Sequence, residues 1–539
     1  MRKHNINIKT ALAVFAVALS ACSSDNDIVD NNSNNQEKPV AGKSMTFHAS
    51  MEGDGDNATR TDFNSNSTVW ATGDAISILN KATVTDEPDR PASAEFGITG
   101  GIGTKQADFE GGPIKANGND EDDFYAYYPS SSFDSNSEKM VGNIPTVQTA
   151  TADGYDQSLH FMTAHSTNST FEFKNVCALL KITLTNNTSV CRVKVVANPT
   201  YTNVYDRDFI YTNIAGDFEA TVNPDGTATT TSTEAENTYK TYVELRAAGD
   251  NGKAKTPLGN GTFYMVVLPA EISNGFTLIL EKTDETVYQR ISTKITSFER
   301  NQMINLGSYN CSGTPTGMTA LGKDVVDLDL PSGTIWCKKN LKSNDSSLNP
   351  KIQGFVTDET VYGSYFSFGK KNVPFQYNTP NLEQQTLKAS DDAVYQYDTK
   401  YCTPIYAQIY ELFYYGPYTT VTASTSSPSG AKFEVDNGRY LWLPFGGHYY
   451  AVLNVGIKTL QNEGKTAGYW SRTDYGTGFA VVSYADAYCL DLAEENGLPV
   501  VESHQGFLQG GGHDWSDDRQ GGRNIRPVVT NIKIAPIFE

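Results

Sequence analysis

From Ser44 to about Tyr309 the chain repeats short apolar runs that alternate or stay continuous, and almost none has helical spacing. SMTFHASM alternates, AISIL is short and apolar, and FYAYYP stops at Pro129. Later come TFEFKN, CALLKITLTNNTSVCRVKVV, TFYMVVLP and GFTLILEK. These runs are rich in β-branched and aromatic residues and close on Asn, Gly or Pro, which marks them as strands. Asn186-Asn187, between two apolar runs, predicts a tight hairpin turn because Asn tolerates positive φ. In that register Cys177 and Cys191 occupy different rungs and do not pair. The Thr-rich GTATTTSTE reads as a loop. Short strands at this spacing predict β-sandwiches.

Periodicity lapses around residues 155–170, which places a seam there, and a second break follows Cys311. The remainder differs in texture: it is denser in aromatics and carries one convincing helix, PIYAQIYELF. Ile405, Ile409 and Leu412 or Phe413 share a face of that helix, with Pro404 in its first turn. The expected organisation is mainly β, with one sandwich over 44–165 and another over 166–310. A linker over 311–323 then leads to a C-terminal α+β region over 324–539.

The N-terminus is an address. Ala11–Leu19 is apolar but far short of the roughly 20 residues a membrane span needs. Arg2, Lys3 and Lys9 before it, and small residues after it, complete a secretory signal peptide over 1–21. Leu19-Ser20-Ala21-Cys22 resembles a bacterial lipobox, which implies lipid attachment at Cys22 and a membrane lipid as partner. Two acyl chains would hold such an anchor firmly. Residues 22–43 are then a polar, disordered tether. The acidic SSDND after Cys22 resembles the signals that carry Bacteroidia lipoproteins to the outer face of the outer membrane. Losing three cations with the signal peptide takes the net charge from −20 to −23. That balance excludes nucleic acid and anionic lipid heads as partners. Beyond Cys22 six cysteines remain, without metal-like spacing, so buried thiols and one or two bridges both stay open.

Two resemblances add to this. TFHASMEGDGDNATRT with VWATGDAISIL, FYAYYP, FKNVCALLKITL and FYMVVLP with GFTLIL resemble the fimbrillin-like lipoproteins of the Bacteroidia. That family implies two tandem β-sandwiches and, in many members, assembly into pili. Its best-matching pieces are Arg60-Thr61, Trp70-x-x-Gly73-Asp74 and Phe124–Pro129. VDLDLPSGTIWCKKNL, GSYFSFGK, GYWSRT and RNIRPV resemble the Fibrobacter succinogenes major paralogous domain. It implies a C-type-lectin-like α+β fold on a surface protein. Here the family's Trp-Gly-Glu is Phe368-Gly369-Lys370, and its Leu-Pro-Thr before the helix is Cys402-Thr403-Pro404.

The fimbrillin resemblance implies donor-strand addition. A sandwich that loses its first strand exposes unpaired backbone beside an apolar groove, which another chain's strand can fill. The first strand is expected near Ser44–Met51, and Arg60 is the basic residue placed for a processing protease to release it. EGDGDN alternates oxygen ligands but lacks the spaced bidentate glutamate of a calcium loop, so no metal is assigned. GGGHDWSDD presents Trp515 among His513, Asp514, Asp517 and Asp518, a combination suited to a carbohydrate. Trp336, Trp442 and Trp470 lie in apolar or motif segments and are expected in cores. No H-E-x-x-H, G-x-S-x-G or phosphate loop is present, so neither an enzyme nor a cofactor is expected.

The expected function is a terminal pilus subunit or adhesin on the outer membrane. Its partners would be other pilins and a host protein or glycan. The alternative is a non-polymerising surface lipoprotein that displays a glycan-binding module, with a surface hydrolase least favoured. On a glycan array the protein should show binding that falls when Trp515→Ala is introduced. An array unchanged by that substitution removes Trp515 as the contact.

Overall fold

The computed structural model describes residues 44–52, 69–84, 89–117, 121–200, 209–250, 255–292, 294, 296–344, 351–366, 388–416, 418–421, 429–435, 438–451, 458–461, 463, 466–474, 487–495, 498–502 and 524–531. Its first strands are β1 (Met45–Met51), β2 (Ala75–Asn80), β3 (Ser93–Gly100), β4 (Gln106–Gly111) and β5 (Phe124–Tyr128). The next three, β6 (Phe133–Asp134), β7 (Lys139–Ile144) and β8 (Val147–Thr149), leave for a neighbouring layer. Then β9 (Met162–Ser166) and β10 (Thr170–Asn175) return. The sheet closes on itself in the order β1-β10-β9-β5-β2-β3-β4, so the first part of the chain is a barrel. Its interior is aromatic: Phe47, Trp70, Phe96, Phe109, Phe124, Phe171 and Phe173 are all buried in one cluster.

The second part is a sandwich around a separate core. One sheet has the order β16-β11-β21, from β11 (Ala178–Thr185), β16 (Gly261–Val267) and β21 (Met303–Asn310). A six-stranded sheet runs β22-β19-β18-β12-β15-β8, adding β12 (Val190–Ala197), β15 (Tyr242–Arg246), β18 (Phe276–Lys282), β19 (Val287–Ile291) and β22 (Thr319–Gly322). A third sheet, β14-β13-β7-β6, uses β13 (Gly216–Val222) and β14 (Ala228–Ser232), and a two-stranded ribbon pairs β17 (Ala270–Ile272) with β20 (Thr296–Phe298). Met140, Ile144, Leu159 and Phe161 belong to the sandwich core, and Leu79 and Tyr127 reach it from the barrel. The chain therefore crosses between the two parts several times, where the lapse in periodicity suggested one seam.

Three local expectations are corrected. Asn186 does take a positive φ of 49°. However, β11 and β12 lie in different sheets, so the Asn pair turns an arch between layers and not a hairpin. The arch lets the apolar faces of both strands meet in one core. Asn187 holds it, accepting the Val190 N–H at 2.7 Å and donating to the Gly259 carbonyl at 3.0 Å. The Thr-rich loop contains the edge strand β14, consistent with the β preference of Thr. Residues 311–323, expected as a linker, contain β22, which pairs with β19.

In the C-terminal region, Val325–Asp327, Ile335–Cys337, Val528–Val529 and Tyr401–Cys402 form a four-stranded sheet. Beside it lie the helices α1 (Ala393–Tyr397) and α2 (Tyr406–Tyr415). Ile405, Ile409 and Leu412 are all buried, but only Ile409 and Leu412 share the core of this region, while Ile405 packs with Phe209. Pro404 precedes the N-cap Ile405, whose N–H is taken by the Gln408 side chain at 3.0 Å. Trp336, Trp442 and Trp470 are buried. Cys177, Cys191, Cys311, Cys337 and Cys402 are buried free thiols.

This region is welded onto the six-stranded sheet. On β12, Val193, Val195 and Ala197 face the sandwich core. Arg192, Lys194 and Val196 point the other way and are equally buried, because the C-terminal region covers them. Lys194 Nζ lies 3.0 Å from Asp327 and 2.8 Å from Asp329, and sits 4.0 Å from the centre of the Tyr242 ring. Arg192 reaches Asp327 at 2.8 Å, Asp329 at 2.7 Å and Glu281 at 3.2 Å, and also pairs with Glu244. Arg439 joins from the C-terminal side through Asp329. Burial alone would raise the Asp329 carboxyl, but Arg439, Lys194 and Arg192 outweigh it and hold the group down to about 2. Lys194, Arg192 and Arg439 likewise overcome burial at Asp327 and keep it well below the carboxylate range.

Close packing completes the joint. Gly333 has φ +73°, and a Cβ there would meet Val196 Cγ1 at 2.9 Å, so only glycine lets the Leu330–Gly333 turn lie on β12. Glu411 on α2 accepts the Tyr211 hydroxyl of the sandwich at 3.0 Å and the backbone N–H of Ser332. Burial lifts its carboxyl to about 7 against those hydrogen bonds.

Removing one member of a buried ion network strands the others, at a cost of about 3–5 kcal/mol. Asp327→Asn should therefore lower unfolding stability by that order in a urea titration. Because the folded values of Asp327 and Asp329 are depressed, their contribution is complete above about pH 4 and declines as pH falls below it, that of Asp329 being spent toward about 2 and that of Asp327 lower still. The wild type should consequently lose stability through that window, and a flat profile there would contradict this role.

Candidate functional site: the slot of the first strand

Seven residues, Met45–Met51, make β1, and alternation sends Phe47 and Ala49 inward while Thr46 and His48 face out. The strand is hydrogen-bonded along both sides. It runs antiparallel to β4, with Phe47 opposite Phe109 and Ala49 opposite Ala107. On the other side it runs parallel to β10, with Ala49 opposite Phe171 and Met51 opposite Phe173. Lifting β1 out would open the barrel between β4 and β10 and expose two rows of unpaired backbone groups.

The surroundings of β1 inside the barrel are aromatic. The Phe47 ring meets Phe96 edge-on at 5.0 Å and Phe124 at 5.2 Å, and stacks on Phe171 at 5.4 Å. Trp70 floors the same cavity against Phe109, Tyr128 and Phe173. The Trp70-x-x-Gly73-Asp74 motif explains how that indole is held. Gly73 takes φ +91°, the Asp74 carboxylate accepts the Ala71 N–H at 2.7 Å, and the Tyr128 hydroxyl donates to Asp74 at 3.0 Å. Burial first, then Asp74, pushes the Tyr128 hydroxyl far above its ordinary pKa, so it stays a donor. On the outer face His48 Nδ1 lies 2.6 Å from Asp108.

At its end, β1 is clasped to the sandwich. The Glu52 N–H donates to the Phe173 carbonyl at 2.8 Å, and its carboxylate accepts the Asn175 N–H at 2.6 Å. Arg300, from the turn before β21, donates to both Glu52 oxygens at 3.0–3.3 Å. Asn175 also donates to Asn301 at 3.0 Å, and His160 is hydrogen-bonded to Asn175 at 2.8 Å. The end of the first strand is thus part of the junction between barrel and sandwich.

The expected first strand is in place as β1. Cys22, Arg60, His513, Asp514, Trp515, Asp517 and Asp518 lie outside the described residues. Glu52 and Arg300 were not singled out from the sequence. Glu52 opens the acidic EGDGDN run and looks like one more solvated charge, and nothing around Arg300 marks it.

No family model matches the chain, and no curated protein matches it. Among solved structures, it resembles a candidate cell adhesion protein from Bacteroides uniformis at 14% identity, TM-score 0.31, covering 52% of this chain and 97% of that one. The tip fimbrial protein Mfa3 from Porphyromonas gingivalis, with a C-terminal truncation, matches at 10% identity and TM-score 0.26, covering 52% and 97%. A fimbrial protein from Bacteroides ovatus matches at 11% identity and TM-score 0.21, covering 86% and 95%. With overlaps this loose, function is inferred below from the strand geometry and the sequence.

Truncating a fully buried Phe costs about 3–5 kcal/mol. Phe47→Ala should destabilise the protein by that order in chemical denaturation, while Thr46→Ala, on the outer face, should cost less than about 0.5 kcal/mol. Equal effects at the two positions would contradict the assigned faces of β1.

Proposed function

We propose that the protein is a pilus subunit of the outer-membrane surface, placed at the end of the filament and built in by donor-strand addition. It is delivered as a lipoprotein on Cys22, cut after Arg60, and filled by a strand from a neighbouring pilin. The observation that carries this is β1 itself. It is one seven-residue strand that closes a barrel, paired on both sides, with Arg60 downstream of its end. After a cut at Arg60 the strand would be held by hydrogen bonds, the packing of Phe47 and the Glu52–Arg300 ion pair, all of which another strand can reproduce. The same cut would separate the lipid on Cys22 from the rest of the chain, so the anchor belongs to delivery.

A terminal position is supported by β22, which covers the β19 edge of the six-stranded sheet. The C-terminal region, which resembles a lectin-like module, would then meet the host protein or glycan. Its buried ion network gives a rigid mount, as an adhesin under pulling force requires.

Protein recovered from the cell surface should begin at Thr61, and Arg60→Ala should leave it lipid-bound with β1 retained. Nicked wild type mixed with a pilin should form complexes that resist detergent and dissociate on heating. A surface form that keeps residues 44–60, together with nicked protein that never forms such complexes, would contradict the proposal.

A further inference from the structure

Strand exchange leaves open which strands the slot accepts. Backbone pairing with β4 and β10 is indifferent to sequence, and the aromatic pocket filters only the position of Phe47. The position after β1 is different. Glu52 is only 9% exposed at its side chain, and its carboxylate is gripped by both terminal nitrogens of Arg300 and by the Asn175 N–H. Arg300 and Asn175 stay with the protein when the strand leaves. Its departure would therefore leave a guanidinium fork and a backbone donor facing the same point, an arrangement that matches a carboxylate bidentately.

Resting on the strand-exchange reading above, we infer that Arg300 is a specificity-determining residue. The slot takes strands that carry an aromatic residue, a small residue and a carboxylate at the positions of Phe47, Ala49 and Glu52. The acidic residue completes the junction that Glu52 makes now, with Asn175 on one side and the Arg300 turn of the sandwich on the other. A strand ending in a neutral residue leaves a partly buried cation unpaired, and one ending in a lysine sets two cations against each other. Selection works through this cost as much as through the favourable pair, since leaving a buried charge without its partner is the expensive outcome.

The test uses the full chain with a sequence-specific protease site placed between Gly53 and Thr61. After cutting, the resident strand is displaced in mild denaturant and a labelled peptide of residues Lys43–Gly53 is offered, its binding read by fluorescence polarisation. Glu52 is the only acid in that peptide. Against Arg300 the native peptide should bind at least ten-fold more tightly than its Glu52→Lys form, with Glu52→Gln between them. Arg300→Glu should reverse that order, and Arg300→Gln, the milder variant, should make the slot nearly indifferent between Glu and Gln. Peptides that bind alike whatever stands at position 52, while still competing for the slot, would overturn the role of Arg300 and leave strand exchange intact. Failure of the native peptide itself to enter the emptied slot would overturn both.

Discussion

A strand in a sheet has two rows of backbone donors and acceptors, and each row must be met by another strand or by water. In this protein that constraint converges on β1. Its seven residues satisfy β4 on one side and β10 on the other, and without them the barrel has two open edges around an aromatic interior. The pairing is generic, so any extended segment meets it. The contents of the slot are not generic: the Phe47 pocket and the Glu52 clasp ask for side chains at set positions. Affinity from the backbone and choice from the side chains is the division expected of strand addition.

The sandwich stands between the two features that matter. At one side it holds the end of β1 through Arg300, and on its six-stranded sheet it holds the C-terminal region through Arg192 and Lys194. A buried ion network adds little net stability over an apolar core of the same shape, because desolvation offsets most of the attraction. What it adds here is geometry. Arg192, Lys194 and Arg439 interlock with Glu244, Glu281, Asp327 and Asp329 where the two layers meet, and Gly333 packs directly on Val196.

Much of the barrel and sandwich was legible because period-two alternation is a local property. MTFHASM and CALLKITL announce their inward faces without any knowledge of partners. Partner choice is not local. The parallel pairing of β1 with β10 joins residues more than a hundred positions apart, so closure into a barrel left no mark in the sequence. The arch at Asn186-Asn187 was misread because a hairpin and an inter-sheet arch place the same demand, positive φ, on the same residue. Arg192 and Lys194 alternate with valines as solvent-facing residues do, and only the C-terminal region, far along the chain, shows that their face is covered. Asp327 and Asp329, in the VDLDLPSG segment, carry no local sign that their partners lie on β12. Glu52 was hidden for the same reason, among other acids in a run that looked merely hydrated.

The most direct measurement is the structure of this protein inside filaments sheared from intact cells, solved by cryo-electron microscopy. In the filament, the strand between β4 and β10 should belong to a neighbouring subunit, with the chain of this protein starting after Arg60. Density there for its own Met45–Met51, joined onward to residue 61 in the assembled filament, would contradict it.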